Sequence, residues 1–498
     1  MNKKNKMAMV LALSIFASSV AGCSFSGISD SDLLKPPKAT GTEAAIQELL
    51  EKTTNNDYKL CYPQSGDYRS GIIMQDIDGD SKEEAVAMYK TTKDSTNINI
   101  MFMKEKAGKW ESLGAFLNSN SDVDRLYFED VDDDGQKEVI VGWSSYLTGG
   151  NQIVMYEYND NSTIKDILVN TDTRYIDLSV MDITNDGVQD LVVLTTAVDE
   201  KTGENKTTAR LYSSCIEGIF SKVSEIKTNP KIISYSQILQ GNLSSGVKGL
   251  FMDGTTANEN ELITEVIYYS TERQILVNPL DYTESDGDIT NLTIRKSSTL
   301  CKDVDSDGII EVPSPYIPLV NTADVVSYPI NRWYKINSKD ATIYEQQQTV
   351  ASYSDGFYFV LPESWKDNIV ASNDNTTRTT SFYEILETVD NKEISTEPAT
   401  EKSTEKITVP EISTEPIEET EPATEIAEPV AKISEEPILE IKVYTEKSWK
   451  NESAAKLSEG YTVIKEYSGL VYVCKLGKAV NSNVNLSTEQ VQNNFYLI

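Results

Sequence analysis

The chain has 498 residues, a formal net charge of −33 and no histidine. That length supports two or more domains with a sizeable core, and a surface this acidic repels phosphate backbones, so nucleic acid is not an expected partner. Without imidazole there is no Ser-His-Asp or Cys-His machinery, no HExxH zinc site and no imidazole general base, which leaves catalysis through carboxylates open.

Residues 1–22 read as a secretion signal. Lys3, Lys4 and Lys6 form a positive head, and Met7 to Val20 is an apolar run too short to span a bilayer comfortably. The run ends in Val20-Ala21-Gly22-Cys23, which resembles a bacterial lipobox. That resemblance implies cleavage before Cys23, a diacylglycerol on its sulfur, and an extracytoplasmic protein anchored to the outer face of a membrane. An ordinary cleaved signal is the alternative. Residues 23–57 then form a polar tether and a short helix from Thr42 to Lys52, with Ile46, Leu49 and Leu50 on one side. Cys61, Cys215, Cys301 and Cys474 are far apart, share no metal-ligand spacing and are expected as isolated thiols.

From about residue 58 the chain repeats a nine-residue acidic loop, Asp-x-Asp-x-Asp-x-x-x-(Asp/Glu). The copies carry Asp76, Asp78, Asp80 and Glu84; Asp130, Asp132, Asp134 and Glu138; Asp182, Thr184, Asp186 and Asp190; and Asp303, Asp305, Asp307 and Glu311. Each is entered and left by an apolar or alternating strand, and further strands precede the next copy, so one repeat is about four short strands. The gap between the last two copies is about two repeats long. It holds a degenerate copy, Gly241 to Gly249, in which the turn glycine survives and the ligands do not. Five repeats over 58–345 predict a mainly β fold, a β-propeller-like array of about five blades, with a stacked solenoid as the alternative.

Oxygen ligands at positions 1, 3, 5 and 9, with a backbone carbonyl at 7, suit a hard cation such as Ca²⁺. Clustered carboxylates repel one another, and a divalent ion converts that repulsion into coordination. The first loop lacks a glycine at position 6 and the third has Thr184 in place of a carboxylate, so the second and fourth are expected to bind best. Asx-turns held by backbone amides, without metal, are the competing reading. The loops resemble the Ca²⁺ loops of VCBS and FG-GAP-like repeats, the family that includes the propeller of integrin alpha subunits; the family's Phe-Gly and Gly-Ala-Pro doublets are missing. The arrangement is also similar to clostridial-type lipoproteins carrying such repeats. The resemblance implies a Ca²⁺-stabilised propeller and no particular activity.

Residues 350–498 predict a small α+β domain. Its expected strands include Ser381 to Leu386, Ile438 to Tyr444 and a hairpin around Ser468-Gly469, and Ser487 to Gln490 reads as a capping box. A Thr/Glu/Pro-rich insert, 392–437, cannot bury enough apolar surface to fold and is expected as a disordered acidic loop within that domain. Asp281 to Asp288 is a further acidic turn, and the tryptophans are expected in packing rather than stacked on sugars. Three functions remain in play. The first is a membrane-anchored binding or adhesion module for a protein, glycan or wall polymer, and not an enzyme. The second is a carboxylate-dependent, glycosidase-like hydrolase on the same scaffold. The third is an envelope scaffold or assembly factor.

Overall fold

The computed structural model describes residues 41–119, 122–144, 151–159, 163–169, 175–198, 205–216, 219–258, 261–283, 289–389 and 430–498. The expected secretion signal, Cys23, the expected tether up to residue 40 and most of the expected acidic insert lie outside them. The described residues are mostly strand, and contacts divide the chain into two compact units.

The first unit holds the first two sheets. Helix α1 (Thr42–Thr54) starts the described chain and ends on Asn55 in the left-handed region, φ 53°. Its buried Ile46 and Leu50 pack on Ala85, Ala87, Met101 and Met103 of the first sheet, the face that the sequence pattern assigns to them. That sheet joins Ile72–Gln75, Glu84–Lys90, Ile98–Lys106 and Lys109–Asn118 in antiparallel succession, with Lys59–Leu60 added beside Glu84–Lys90. The second sheet runs Asp122–Glu129, Glu138–Ser144, Gln152–Asn159 and Thr163–Val169. Phe102, Phe128, Trp143 and Tyr156 lie in one core shared by the two sheets. Strands covered on both faces read as continuous apolar runs, and Glu84–Lys90 and Glu138–Ser144 are buried along nearly their whole length.

The second unit continues the pattern. Its two further four-stranded meanders are Tyr175–Met181, Asp190–Val198, Asn205–Ile216 and Ile219–Lys227, then Ile232–Ser244, Val247–Thr256, Leu262–Ser270 and Ile275–Val277. The degenerate copy is the tight hairpin between Ser244 and Val247, turned by Gly246 at φ 77°. The blade survives with two turn residues where the other copies have a nine-residue loop. Consecutive sheets share cores here too, through Leu194 and Met252 and then through Phe251 and Val312.

The fifth sheet crosses the expected domain boundary. It consists of Val312–Tyr316, Ile330–Asn337, Thr342–Ser352 and Phe357–Val360, and is extended by the C-terminal strand Phe495–Leu497. Thr342–Ser352 runs unbroken through 345–350 because its last five residues are all buried, so the blade-like sheet and the C-terminal region share one core. Asp281–Thr283 and Ile289–Asn291 form a separate two-stranded sheet, and the remaining strands form one larger sheet. Within it Thr379–Val389 and Val430–Ile433 are antiparallel neighbours. Within the span expected as the insert, Val430–Ile433 therefore belong to the same sheet as the strand that precedes it. The hairpin turns at Ser468 (φ 48°) and Gly469 (φ 80°), and Ser487 and Gln490 form the capping box. Sequence reading missed helix α2 (Glu446–Ser458), capped by Thr445, because it buries no residue and has no apolar stripe.

Trp143, Trp333 and Trp365 are buried, Trp110 and Trp449 half-buried, and none is exposed. Cys61, Cys215, Cys301 and Cys474 are all free thiols.

Candidate metal loops

All four acidic loops take one backbone form. Position 2 is a buried apolar plug: Ile77, Val131, Ile183 or Val304. Positions 4 and 6 are both left-handed. The pairs are Gly79 (φ 72°) with Ser81 (φ 67°), Asp133 (62°) with Gly135 (86°), Asn185 (59°) with Gly187 (96°), and Ser306 (61°) with Gly308 (85°). The first loop is therefore built like the others, with glycine at position 4 and serine at position 6. Gly79 has a further reason to be there. A Cβ on it would lie 2.9 Å from the Gly135 carbonyl oxygen, because the first two loops stack, with Lys137 N donating to Ile77 O at 2.7 Å.

The turn amides hold the acidic side chains. Asp76 accepts from Ser81 N at 3.0 Å, Asp80 from Lys82 N at 2.8 Å, and Glu84 Oε2 from Ile77 N at 2.9 Å. The fourth loop repeats this: Gly308 N donates to Asp303 at 2.8 Å, Ile309 N to Asp307 at 2.9 Å, and Val304 N to Glu311 Oε2 at 2.8 Å. The third has Val188 N on Asp186 at 2.9 Å and Asp186 N on Asp182 at 3.1 Å. In the second, Asp133 N donates to Asp130 at 2.8 Å. The bonds to Asp80, Asp307 and Asp186 from amides two residues on are Asx-turn bonds, and the others tie the loop back to its first and ninth positions.

Three of the loops gather carboxylates tightly enough for a metal ion. Ligand oxygens of Asp76, Asp78 and Glu84, of Asp130, Asp132 and Glu138, and of Asp303, Asp305, Asp307 and Glu311 each lie within 4.8 Å of one another. Asp80 and Asp134 fall outside those groups. The third loop gathers no such group among the described residues: the Thr184 amide and hydroxyl both donate to Asp190 Oδ2, at 3.0 Å each. Burial raises the Asp190 carboxyl, opposed by hydrogen bonds from Ser213 and Thr184.

Two lysines that the motif does not contain reach into the first and fourth loops. Lys104 Nζ contacts Asp78, and lies 2.9 Å from Asp80 and 3.1 Å from Glu84 Oε1. Lys335 Nζ lies 3.3 Å from Asp305, 2.5 Å from Asp307 and 3.1 Å from Glu311 Oε1. Burial works against the charge on both lysines. The bonds from Asp78, Asp80 and Glu84, and from Asp307, Glu311 and Asp305, outweigh it and raise both pKa values. Asp80 and Asp307 are correspondingly lowered, first by their lysine.

A buried polar network that sequence reading missed lies in the fourth sheet and the chain on either side of it. Glu265 is fully buried and accepts from Asn229 N at 2.6 Å, Tyr235 Oη at 3.1 Å and Asn278 Nδ2 at 3.2 Å. Asn229, Asn278 and Asn291 also donate to Asp281, at 3.0, 3.1 and 2.6 Å. Asp281 belongs to the further acidic turn of the sequence; its partners are contributed by residues up to 52 positions away, which no local pattern reveals.

A cleft of about 880 Å³ opens beside this region. Ile233, Leu262 and Leu300 give it apolar ground, Thr255, Ser297 and Ser298 are among its hydroxyls, and Glu261 and Lys296 carry its charges. Glu261 is already engaged by the Thr256 hydroxyl at 3.0 Å.

No family model and no curated protein matches the chain. Among solved structures it is similar to the Dos1 propeller, at 10% identity and a TM-score of 0.30, over 60% of this chain and 65% of that one. It is also similar to the exo-β-1,3-galactanase from Phanerochaete chrysosporium, at 9% identity and a TM-score of 0.24, over 64% and 68%. A third, described as a glycoside hydrolase, gives 10% and 0.22, over 60% and 92%. Overlaps of this size carry no argument about activity. No helix among the described residues is long and apolar enough to cross a membrane.

Proposed function

We propose that the chain is an extracytoplasmic lipoprotein, anchored through Cys23, whose VCBS-like sheets form a propeller-like binding module for an envelope glycan. The observation that carries the binding role is the hydroxyl-rich cleft beside Thr255 and Ser298. It offers apolar ground for sugar faces and many short polar groups, the composition of a site that holds a ligand. Among the described residues Glu261 is its one lining carboxylate, and it braces its own turn. Glycoside hydrolysis needs two carboxyl groups flanking the bond, which favours binding over the hydrolase reading. The buried Glu265 and Asp281 pair does not alter this, because Glu265 is sealed from solvent.

In the same reading the second loop takes Ca²⁺. Asp130, Asp132 and Glu138 supply carboxylate oxygens and Gly135 permits the turn, which is the donor set of a hard cation.

The test uses the chain from residue 24 onward and purified peptidoglycan, in a sedimentation assay. The parent is expected to co-sediment, and Ser298→Tyr, which fills the cleft from an exposed position, to lose at least tenfold in affinity. Unchanged retention by that variant sinks the cleft assignment. In cells, Cys23→Ser is expected to release the protein from the membrane fraction, and a variant that stays bound removes the lipid anchor.

A further inference from the structure

The strand ladders explain why lysine appears in two loops and not in the third. Ala85 pairs with Met103, so the next rung sets Lys104 opposite Glu84. Val312 pairs with Tyr334, so the next rung sets Lys335 opposite Glu311. In the third sheet Leu191 pairs with Tyr212, and the rung beyond sets Ser213 opposite Asp190. The residue facing the ninth position from the following strand therefore projects into the loop interior.

We propose that Lys104 and Lys335 are the resident cations of the first and fourth loops, in the place that calcium takes in the repeats these loops resemble, so that neither loop binds calcium. Each ammonium meets three carboxylates, from positions 3, 5 and 9 of its loop. These are three of the four side-chain ligands a metal would need, the fourth being Asp76 or Asp303 at position 1. Calcium requires six to eight oxygens at about 2.3–2.6 Å, and it cannot collect them while an ammonium holds the same oxygens. The lysine side chains are 12% and 4% exposed, so they are not surface groups that have strayed inward. Turn amides meet further carboxylate oxygens: Ser81 N and Ile77 N in the first loop, Gly308 N and Val304 N in the fourth, while Asp76 Oδ1 is buried without a hydrogen-bond partner. The fourth loop adds Gln346 Nε2 on Asp305 at 3.2 Å. A covalently attached cation is present at every calcium concentration, so these two loops keep their shape when external calcium falls.

The inference stands whether or not the second loop binds calcium, and the experiment separates the two. Equilibrium dialysis of residues 24–498 against calcium gives the number of ions bound per chain. Asp307→Asn and Asp80→Asn, at partly exposed positions, are expected to leave that number unchanged. Asp132→Asn is expected to lower it by one if the second loop is a site, and its effect speaks only to that reading. Lys335→Met and Lys104→Met are each expected to raise the number by one and to make the melting temperature rise with calcium. A loss of one bound ion in Asp307→Asn or Asp80→Asn overturns the proposal, as does a folded Lys335→Met that gains none. Should both lysine variants fail to fold, the two aspartate variants decide it alone.

Discussion

Replacing Arg295 by methionine is expected to lower the free energy of unfolding by about 3–5 kcal/mol, the usual consequence of leaving one half of a buried ion pair behind. Arg295 Nη2 lies 2.8 Å from Asp253 Oδ1, with side chains 1% and 0% exposed. Its other donors are used as well: Nη1 on the Thr264 hydroxyl at 2.9 Å and on Thr293 O at 3.1 Å, and Nε on Thr299 O at 3.1 Å. Asp253 also accepts from Cys301 N at 2.9 Å. The methionine variant strips the guanidinium from this network and strands the carboxylate. The double variant Arg295→Met with Asp253→Leu removes both charges and is expected to recover part of the loss. Urea unfolding measures both. A single variant within 1 kcal/mol of the parent would mean that water reaches Asp253.

Glu265 is expected to make the fold less stable as pH rises. Burial is the main cause, with Asp281 adding to it, and the Asn229 amide and Tyr235 hydroxyl pull the other way; the net pKa is raised to about 8. An unfolded glutamate titrates near 4.3. Between these two values the folded chain holds a proton that the unfolded chain has lost. Stability therefore falls through that window, at about 1.4 kcal/mol per pH unit, and levels off above the folded pKa. The contribution is fully present below the unfolded pKa. Glu265→Gln keeps the shape and removes the titration, so the parent minus variant difference, from urea unfolding at several values between pH 5 and 8.5, should slope downward with pH. A flat difference would show that Glu265 is ionised in the folded state. Asp281 and Tyr235 are the titratable groups facing it, and both remain in the variant.

Much of the fold is legible because it is written in short-range patterns. An apolar position 2, two turn residues at positions 4 and 6, and an acid at position 9 recur in four copies, and the structure gives all four the same backbone. The lost copy near Gly246 is legible too, since a hairpin needs little more than that glycine. The hairpin at Ser468-Gly469 and the capping box at Ser487 follow from equally local chemistry. Helix α2 was invisible because it lies on the surface without an apolar face, and the sheet boundary near 345–350 was misplaced because nothing local ends the strand Thr342–Ser352. The strand Val430–Ile433 was hidden by the acidic, proline-rich composition around it.

The candidate sites divide along the same line. Sequence alone determined which carboxylates lie at each loop, because every candidate ligand of a loop falls within nine consecutive residues. Only the tertiary structure decided what those carboxylates meet. Lys104 is 20 residues beyond Glu84, and Lys335 is 24 beyond Glu311. They reach the loops because antiparallel pairing sets them opposite the ninth position, across intervening stretches of different length. Charge balance in a buried site depends on neighbours brought in by the fold, and strand register, not spacing along the chain, chooses them.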